Sequence, residues 1–395
     1  MRKHMQKWLA LCWLLPLLAG LFALPVQAED IAPQPVKEVA LKGEDGKFAW
    51  NSYCEAGAGS TVYYRIKARL ADRRERYWPY VWKLTDKLDA GLRFERDSLK
   101  VELAVEGKKR QNLTKHAQVK FKKDGVQIGF TDLNQLVDPS VDGTLWIYYR
   151  CELGSEALKV GTDRINFNSC FVSCSGIGNN QRVDGTIRST TAGAGVLSWQ
   201  LIVRLQDAET KKPLEGAQLS LQNEKGEYYS ASGKPQEGLA VLTTDEEGRL
   251  ILKGLSSGTY TLEERHAPAG YLRAREPIEI DIQAELPTEE NAHRQAEGTT
   301  VQFQVKGKQT GNVTADAGSG ELNMLVFNLA GEESEDTSDD PGSASARAML
   351  HRTRLILYSA IAACFLILAL VFAYILRLWL KKDEPEAEDE EQPEK

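Results

Sequence analysis

Cysteine, histidine, lysine and carboxyl side chains carry most of the chemistry open to this chain. Six cysteines occur, and four of them (Cys54, Cys151, Cys170 and Cys174) lie between two apolar stretches near the ends. An even number in an oxidising compartment allows two disulfides. Cys170 and Cys174 cannot pair with each other in a straight strand, because four residues of strand span roughly 13 Å. Each is therefore expected to pair with Cys54 or Cys151, with the connectivity open. The histidines His4, His116, His266, His293 and His351 include no two at metal-ligand spacing, so neither a metal nor another cofactor is expected. Gly-x-Ser-x-Gly, His-Glu-x-x-His and phosphate-loop patterns are missing, and no carboxylate pair sits in a recognisable motif. This argues against an enzyme, although a carboxylate pair assembled across strands stays open. The net charge of −7 argues against a nucleic-acid partner.

The elements that would position such groups are strands. Thr61–Leu70, Leu99–Val105 and Gly143–Arg150 alternate with period two, and Asp124-Gly125 and Asp142-Gly143 mark turns. No long segment between the ends has helical periodicity. After Trp199 a smaller version of the pattern follows, with strands at 201–205, 217–221, 250–252, 259–262 and 324–327. The fold class read from this is all-β, two immunoglobulin-like β-sandwich domains in tandem (residues 29–198 and 199–330) plus one C-terminal transmembrane helix.

The ends indicate the compartment. A basic start, an apolar run from Trp8 to Leu24 and Val26-Gln27-Ala28 have the form of a secretory signal peptide, residues 1–28; an uncleaved anchor is the alternative. Residues 331–350 are acidic, small and polar and read as a flexible stalk. Leu355–Leu376 carries no charge and is long enough to cross a bilayer, giving a membrane helix with flanks over 351–380. Residues 381–395 hold three lysines against eight acids and read as an acidic cytoplasmic tail. The expected localisation is the cell membrane, single-pass type I, with an extracellular ectodomain.

Two stretches resemble a known family. Asp207-Ala-Glu-Thr-Lys-Lys-Pro-Leu-Glu-Gly-Ala217, followed by Tyr260-Thr-Leu-Glu-Glu-Arg-His-Ala-Pro-Ala-Gly-Tyr271, is similar to the Cna B-type (prealbumin-like) domain of Gram-positive surface proteins and pilins, the second stretch matching the pilin pattern YxLxExxAPxGY. More loosely, Pro35–Val39, Val62–Ile66, Leu84–Phe94 and Asn168–Cys174 resemble the isopeptide-forming (Cna A-like) domain of fimbrial subunits. Such domains crosslink themselves: a buried lysine amine attacks an asparagine carboxamide, a neighbouring carboxyl polarises the amide and moves protons, and ammonia leaves.

By this resemblance Lys37 is the nucleophile, Asp86 the acid and Asn168 the acceptor. Strand parity offers an independent test. Lys37 shares a face with Val39 and Leu41, Asp86 with Trp82 and Leu84, and Asn168 with Cys170 and Val172. One point counts against Asn168: Ile165, Phe167 and Phe171, on the opposite face, are greasier. Asn166 is the alternative acceptor. The plainer reading is that all of these are hydrogen-bonded polar residues with no covalent bond. A bond from Lys37 to Asn168 would tie the first and last strands of the domain. In the second domain the family's lysine position is Leu205, while Glu264 and Asn328 match the other two members. That site therefore reads as degenerate, with Glu264 and Asn328 hydrogen-bonded in the core.

Neither an LPxTG sorting motif before the apolar stretch nor a YPK-type motif is present; Tyr77-Trp-Pro-Tyr80 lacks the lysine. Asn112-Leu-Thr and Asn312-Val-Thr match the glycosylation pattern and read as chance in a bacterial protein. The expected function is a membrane-anchored bacterial surface protein of structural or adhesive, pilin-like type. Its expected partners are the membrane, an extracellular protein or glycan ligand, and pilin or envelope proteins. The alternative is a binding module in envelope assembly or signalling that acts through its ectodomain loops and acidic tail.

Overall fold

The computed structural model describes residues 31–176, 185–288 and 292–331. The expected signal peptide, stalk beyond Gly331, membrane helix and tail lie outside the described residues. Among the described residues no helix is long and apolar enough to cross a membrane; the only helical turns are three-residue 3-10 segments at Arg74–Arg76, Thr114–His116 and Leu133–Gln135.

Everything else regular is β. The first half contributes β1 (Pro35–Ala40), β2 (Tyr53–Glu55), β3 (Thr61–Arg69), β4 (Trp82–Leu88), β5 (Leu92–Ala104), β6 (Gln111–Asn112), β7 (Gln118–Lys122), β8 (Gly125–Phe130), β9 (Thr144–Leu153), β10 (Asn166–Ser175), β11 (Thr186–Arg188) and β12 (Ala192–Leu197). They form two sheets, ordered β1-β3-β9-β5-β6 and β2-β12-β10-β4-β8-β7, with β11 beside β10. Alternation explains the packing. β3 turns Val62, Tyr64, Ile66 and Ala68 inward, and β9 turns Leu145, Ile147, Tyr149, Cys151 and Leu153 inward, all 0–2% exposed. These meet Leu84, Val126, Ile128 and Val172 of the other sheet in one apolar core.

The second half holds β13 (Trp199–Asp207), β14 (Gln218–Asn223), β15 (Tyr228–Tyr229), β16 (Pro235–Gln236), β17 (Leu242–Thr243), β18 (Arg249–Leu255), β19 (Gly258–His266), β20 (Ile278–Glu285), β21 (Thr300–Lys306), β22 (Thr310–Asp316) and β23 (Glu321–Asn328). One sheet runs β18-β13-β23-β22 and the other β16-β15-β14-β19-β20-β21, with β17 on β14. β13 pairs antiparallel with β18 and parallel with β23.

The described residues belong to one compact unit. Tyr53, Ile165 and Phe167 of the first half pack in the second core. The indole of Trp199 and the Ser257 amide, the latter at 2.6 Å, both donate to the Glu55 carboxyl. Thr162 N donates to Ala317 O at 2.8 Å, Ala58 N to Gly254 O at 2.9 Å, and Lys234 pairs with Glu152 at 2.7 Å.

This junction accounts for the ambiguity over Asn168. The first five residues of β10 are buried on both faces. One face looks into the first core through Asn168, Cys170 and Val172, while Phe167 faces the second core. The greasier face is thus an interface at Phe167, while Phe171 further along lies on the outer face under Arg188, and Asn168 still points into its own sandwich. β10 is also not the last strand: β11 and β12 follow and flank it, so a tie to β1 joins the two sheets rather than the first and last strands. Leu41, expected on the inner face with Lys37, is 38% exposed because β1 ends at Ala40; Pro35 and Val39 are the buried neighbours of Lys37 on that face.

Candidate functional site

Lys37 is carried by β1, where it lies opposite Ile66. Its side chain crosses the core, 0% exposed, to the facing sheet. There Asp86 on β4 and Cys170 on β10 are paired residues, and Asn168 lies two positions before Cys170. Strand register therefore brings the carboxyl and the carboxamide together. Lys37 Nζ lies 2.5 Å from Asp86 Oδ1 and 2.7 Å from Asn168 Oδ1. It also contacts the Tyr149 hydroxyl at 2.8 Å. Lys37, Asp86, Asn168 and Tyr149 are all 0–2% exposed.

Tyr149, on β9, is the member that sequence reasoning missed. Its hydroxyl donates to Asp86 Oδ2 at 2.5 Å and accepts from Asn168 Nδ2 at 2.6 Å. Burial first, and then the Asp86 charge, push its phenol well above the usual tyrosine range, so it keeps its proton. Its ring stacks on Tyr64 and Phe94 at 5.3 and 4.7 Å, and Lys37 Nζ sits 5.4 and 5.5 Å from the Tyr64 and Tyr149 ring centres. The amine is thus enclosed by two π faces and one carboxylate.

Asn166 is engaged elsewhere. Its Oδ1 accepts from Lys159 N at 3.1 Å, and its Nδ2 donates to Lys159 O at 3.0 Å and Val196 O at 3.2 Å. Its carboxamide pins the 159 loop against β12, and Lys37 does not reach it.

The disulfide expectation is corrected: none of Cys54, Cys151, Cys170 and Cys174 is in a disulfide. β12 lies between β2, which holds Cys54, and β10, which holds Cys170 and Cys174. Two strand spacings come to roughly 10 Å, beyond disulfide reach. Cys151 belongs to the opposing sheet. Burial raises the thiols of Cys54 and Cys170 to about 12 and raises that of Cys151 as well, so they are unreactive near neutral pH.

In the second half Leu205, Glu264 and Asn328 are buried. Asn328 Nδ2 donates to Glu264 Oε1 at 2.8 Å and to Leu272 O at 3.3 Å, while Ala274 N donates to Glu264 Oε2 at 2.6 Å. Leu205 lies opposite Val326 on the parallel partner strand, on the same inward face as Asn328. A leucine has no nucleophile to offer this carboxyl–carboxamide pair.

Asp207 closes the neighbouring turn. Its Oδ1 accepts from Thr210 N at 2.6 Å and Glu209 N at 2.9 Å. Chiefly through the Thr210 amide, its carboxyl is lowered from an ordinary 3.8 to about 2. A depressed carboxylate contributes stability that is present above 3.8 and is lost as pH falls toward 2. Thermal unfolding followed through that window should fall less steeply in Asp207→Asn than in the parent chain.

With this geometry in view, the likeness to known proteins is specific in fold. Residues 200–296 match the family described as the SpaA prealbumin-like fold domain, which bears out the resemblance read from Asp207–Ala217 and Tyr260–Tyr271. No curated protein matches the chain. Among solved structures, the backbone protein of group B streptococcus pilus 2b aligns over 75% of this chain and 98% of its own, with a TM-score of 0.51 and 19% identity. The T6 backbone pilin of serotype M6 Streptococcus pyogenes aligns over 76% of this chain and 70% of its own, with a TM-score of 0.52 and 18% identity. Apart from the three short 3-10 turns, the described residues are all-β, and they are pilin-like in fold.

Proposed function

We propose that this protein is a structural, pilin-like subunit of the bacterial surface whose first sandwich crosslinks itself through a Lys37–Asn168 isopeptide bond. The sandwiches of residues 29–198 and 199–330 would stand outside the cell, exported by the signal peptide and held by the 355–376 helix. The observation that carries the reading is the fully buried Lys37 amine, within 2.7 Å of both Asp86 Oδ1 and Asn168 Oδ1. The pilus-backbone likeness of the fold supports the structural role.

The chemistry balances with groups on the page. Lys37 Nζ passes one proton to Asp86 Oδ1, 2.5 Å away, leaving a neutral amine and a neutral acid. The amine attacks Asn168 Cγ. The leaving Nδ2 gains a proton from Tyr149, which recovers one from the Asp86 carboxyl group that it contacts. The proton displaced from Nζ returns to Asp86. The products are a secondary amide, ammonia and a protonated Asp86. The step occurs once per chain, so it is maturation rather than turnover. In the second half, with Leu205 in the lysine position, no bond forms.

Tyr149→Phe keeps the packed ring and removes the relay. It should slow ammonia loss by about 10²–10⁴-fold, seen as a mixture of linked and unlinked protein that matures over time. Immediate complete linkage in this variant would remove Tyr149 from the mechanism.

The load-bearing role is tested by stretching single chains from end to end. Lys37 and Asn168 are 131 positions apart. A bond between them should withhold that segment from extension, roughly 450 Å at 3.3–3.6 Å per residue, and Lys37→Ala should restore it. Full extension of the parent chain would contradict the proposal.

A further inference from the structure

We infer that the outer face of the β10-β4-β8-β7 sheet is a binding groove for a linear acidic polysaccharide. Three register rows cross this face. Lys87 lies beside Gly125 and Lys122, Thr85 beside Gln127 and Lys120, and Lys83 beside Gly129 and Gln118. Lys83, Lys87, Lys120 and Lys122 are exposed. The central strand β8 offers glycine at two of its three outward positions, so the floor between the lysine-bearing strands is low. Gln127 Nε2 donates to Thr85 Oγ1 at 3.3 Å across the middle row. At one end the groove deepens to a hollow of about 200 Å³ bordered by Lys83, Gln118, Lys120 and Gln127.

The charge is one-sided. Asp86 is the only acid in these four strands, and it points into the core. The acids just beyond the strand ends are Asp124, in the β7–β8 turn, Asp132, whose Oδ1 accepts from Tyr80 N and Asn134 N, and Asp89, which Lys159 and Arg294 already engage. Residues 108–123, which run from β6 in one sheet to β7 in the other, carry seven lysines and arginines and no acid. This concentration stands out in a chain of net charge −7. Lysines on an edge strand such as β7 discourage strand-to-strand association. That explanation does not extend to Lys83 and Lys87, because β4 lies inside the sheet.

The form of the face selects the ligand. Cations lie about 7 Å apart along β7, about 13 Å apart along β4 and roughly 10 Å apart across β8, which suits a polymer of repeated charges better than a single anion. Amide and hydroxyl groups of Gln118, Gln127 and Thr85 between the lysines suit sugar hydroxyls. Phe171, the outward ring of β10, is covered by Arg188 at 3.4 Å and leaves no stacking platform for bases. The groove is separate from the Lys37 cluster, so its failure would leave the crosslink reading untouched.

The test is retention of the purified full-length chain on immobilised heparin, with neutral dextran, polyglutamate and duplex DNA as parallel surfaces. Salt-reversible retention on heparin that exceeds all three others is expected. Lys83→Glu with Lys120→Glu should weaken it by about tenfold or more through the loss and reversal of two charges, at an unchanged thermal midpoint, and the milder pair Lys87→Ala with Lys122→Ala should weaken it less. Lys253→Glu, on exposed β18, should leave it unchanged. The proposal is overturned by no retention, by equal loss in Lys253→Glu, or by polyglutamate or DNA matching heparin.

Discussion

Asp86→Ala is expected to retain the Asn168 ammonia and to be about 3–5 kcal/mol less stable than the unlinked, ion-paired precursor, the cost of leaving one member of a buried ion pair without its partner, with the loss of the crosslink added to this against the linked parent. Both effects come from the same geometry. Asp86 Oδ1 is the carboxylate oxygen facing the Lys37 ammonium, at 2.5 Å and 0% side-chain exposure. Its other oxygen accepts the Tyr149 hydroxyl. Without it, the amine has no base and Tyr149 no proton source. Asp86→Asn separates the two roles: it keeps the shape and much of the hydrogen bonding while removing the acid. It should also fail to link, but with a smaller fall in thermal midpoint than Asp86→Ala. Mass spectrometry and calorimetry on both variants measure the pair of effects. Linkage persisting in either variant would remove Asp86 from the mechanism.

The second large effect lies at the junction between the halves. Gly320 has φ +74, and a Cβ there would fall 2.2 Å from Gly161 N and 2.5 Å from Gly161 Cα. Both are backbone atoms, held by Gly161 N donating to Ser198 O at 2.9 Å and by Asp163 N donating to Gly318 O at 3.1 Å. They cannot yield without breaking those bonds. Gly320→Ala should therefore cost about 3 kcal/mol or more, combining the left-handed penalty with the clash. Gly107 is the matched control: its φ is +70 but nothing lies within 4 Å of an added Cβ. Gly107→Ala should lose only about 1–2 kcal/mol from backbone conformation. Equal losses in the two variants, read from denaturant unfolding, would show that the junction contact contributes nothing.

Parity along β1, β4 and β10 was enough to put Lys37, Asp86 and Asn168 on inward faces, because a strand's period of two needs no tertiary knowledge. The same rule could not decide between the faces of β10. Both are apolar, one facing its own core and the other the second sandwich, and a one-dimensional pattern does not separate a core from an interface. Tyr149 was visible in the alternating run Thr144–Arg150, yet it stood beside Tyr148 with no motif to mark it. Only the pairing of β3 with β9 places its hydroxyl between Asp86 and Asn168. The cysteines were misjudged because spacing along the chain says nothing about which strand lies between β2 and β10. The basic groove was hidden for a related reason. Its lysines come from β4 and β7, which meet only through β8, and the overall negative charge masks a local excess of the opposite sign.

The central claim is tested most directly by peptide mapping of the purified protein. A single branched species joining the Lys37 and Asn168 peptides, lighter than their sum by one ammonia and unaffected by reductant, is the predicted result. Lys37→Ala should abolish it, and no second branched species should involve Asn328. Recovery of the two peptides only as separate, full-mass fragments would contradict the account and leave Lys37, Asp86, Tyr149 and Asn168 as a buried hydrogen-bonded cluster.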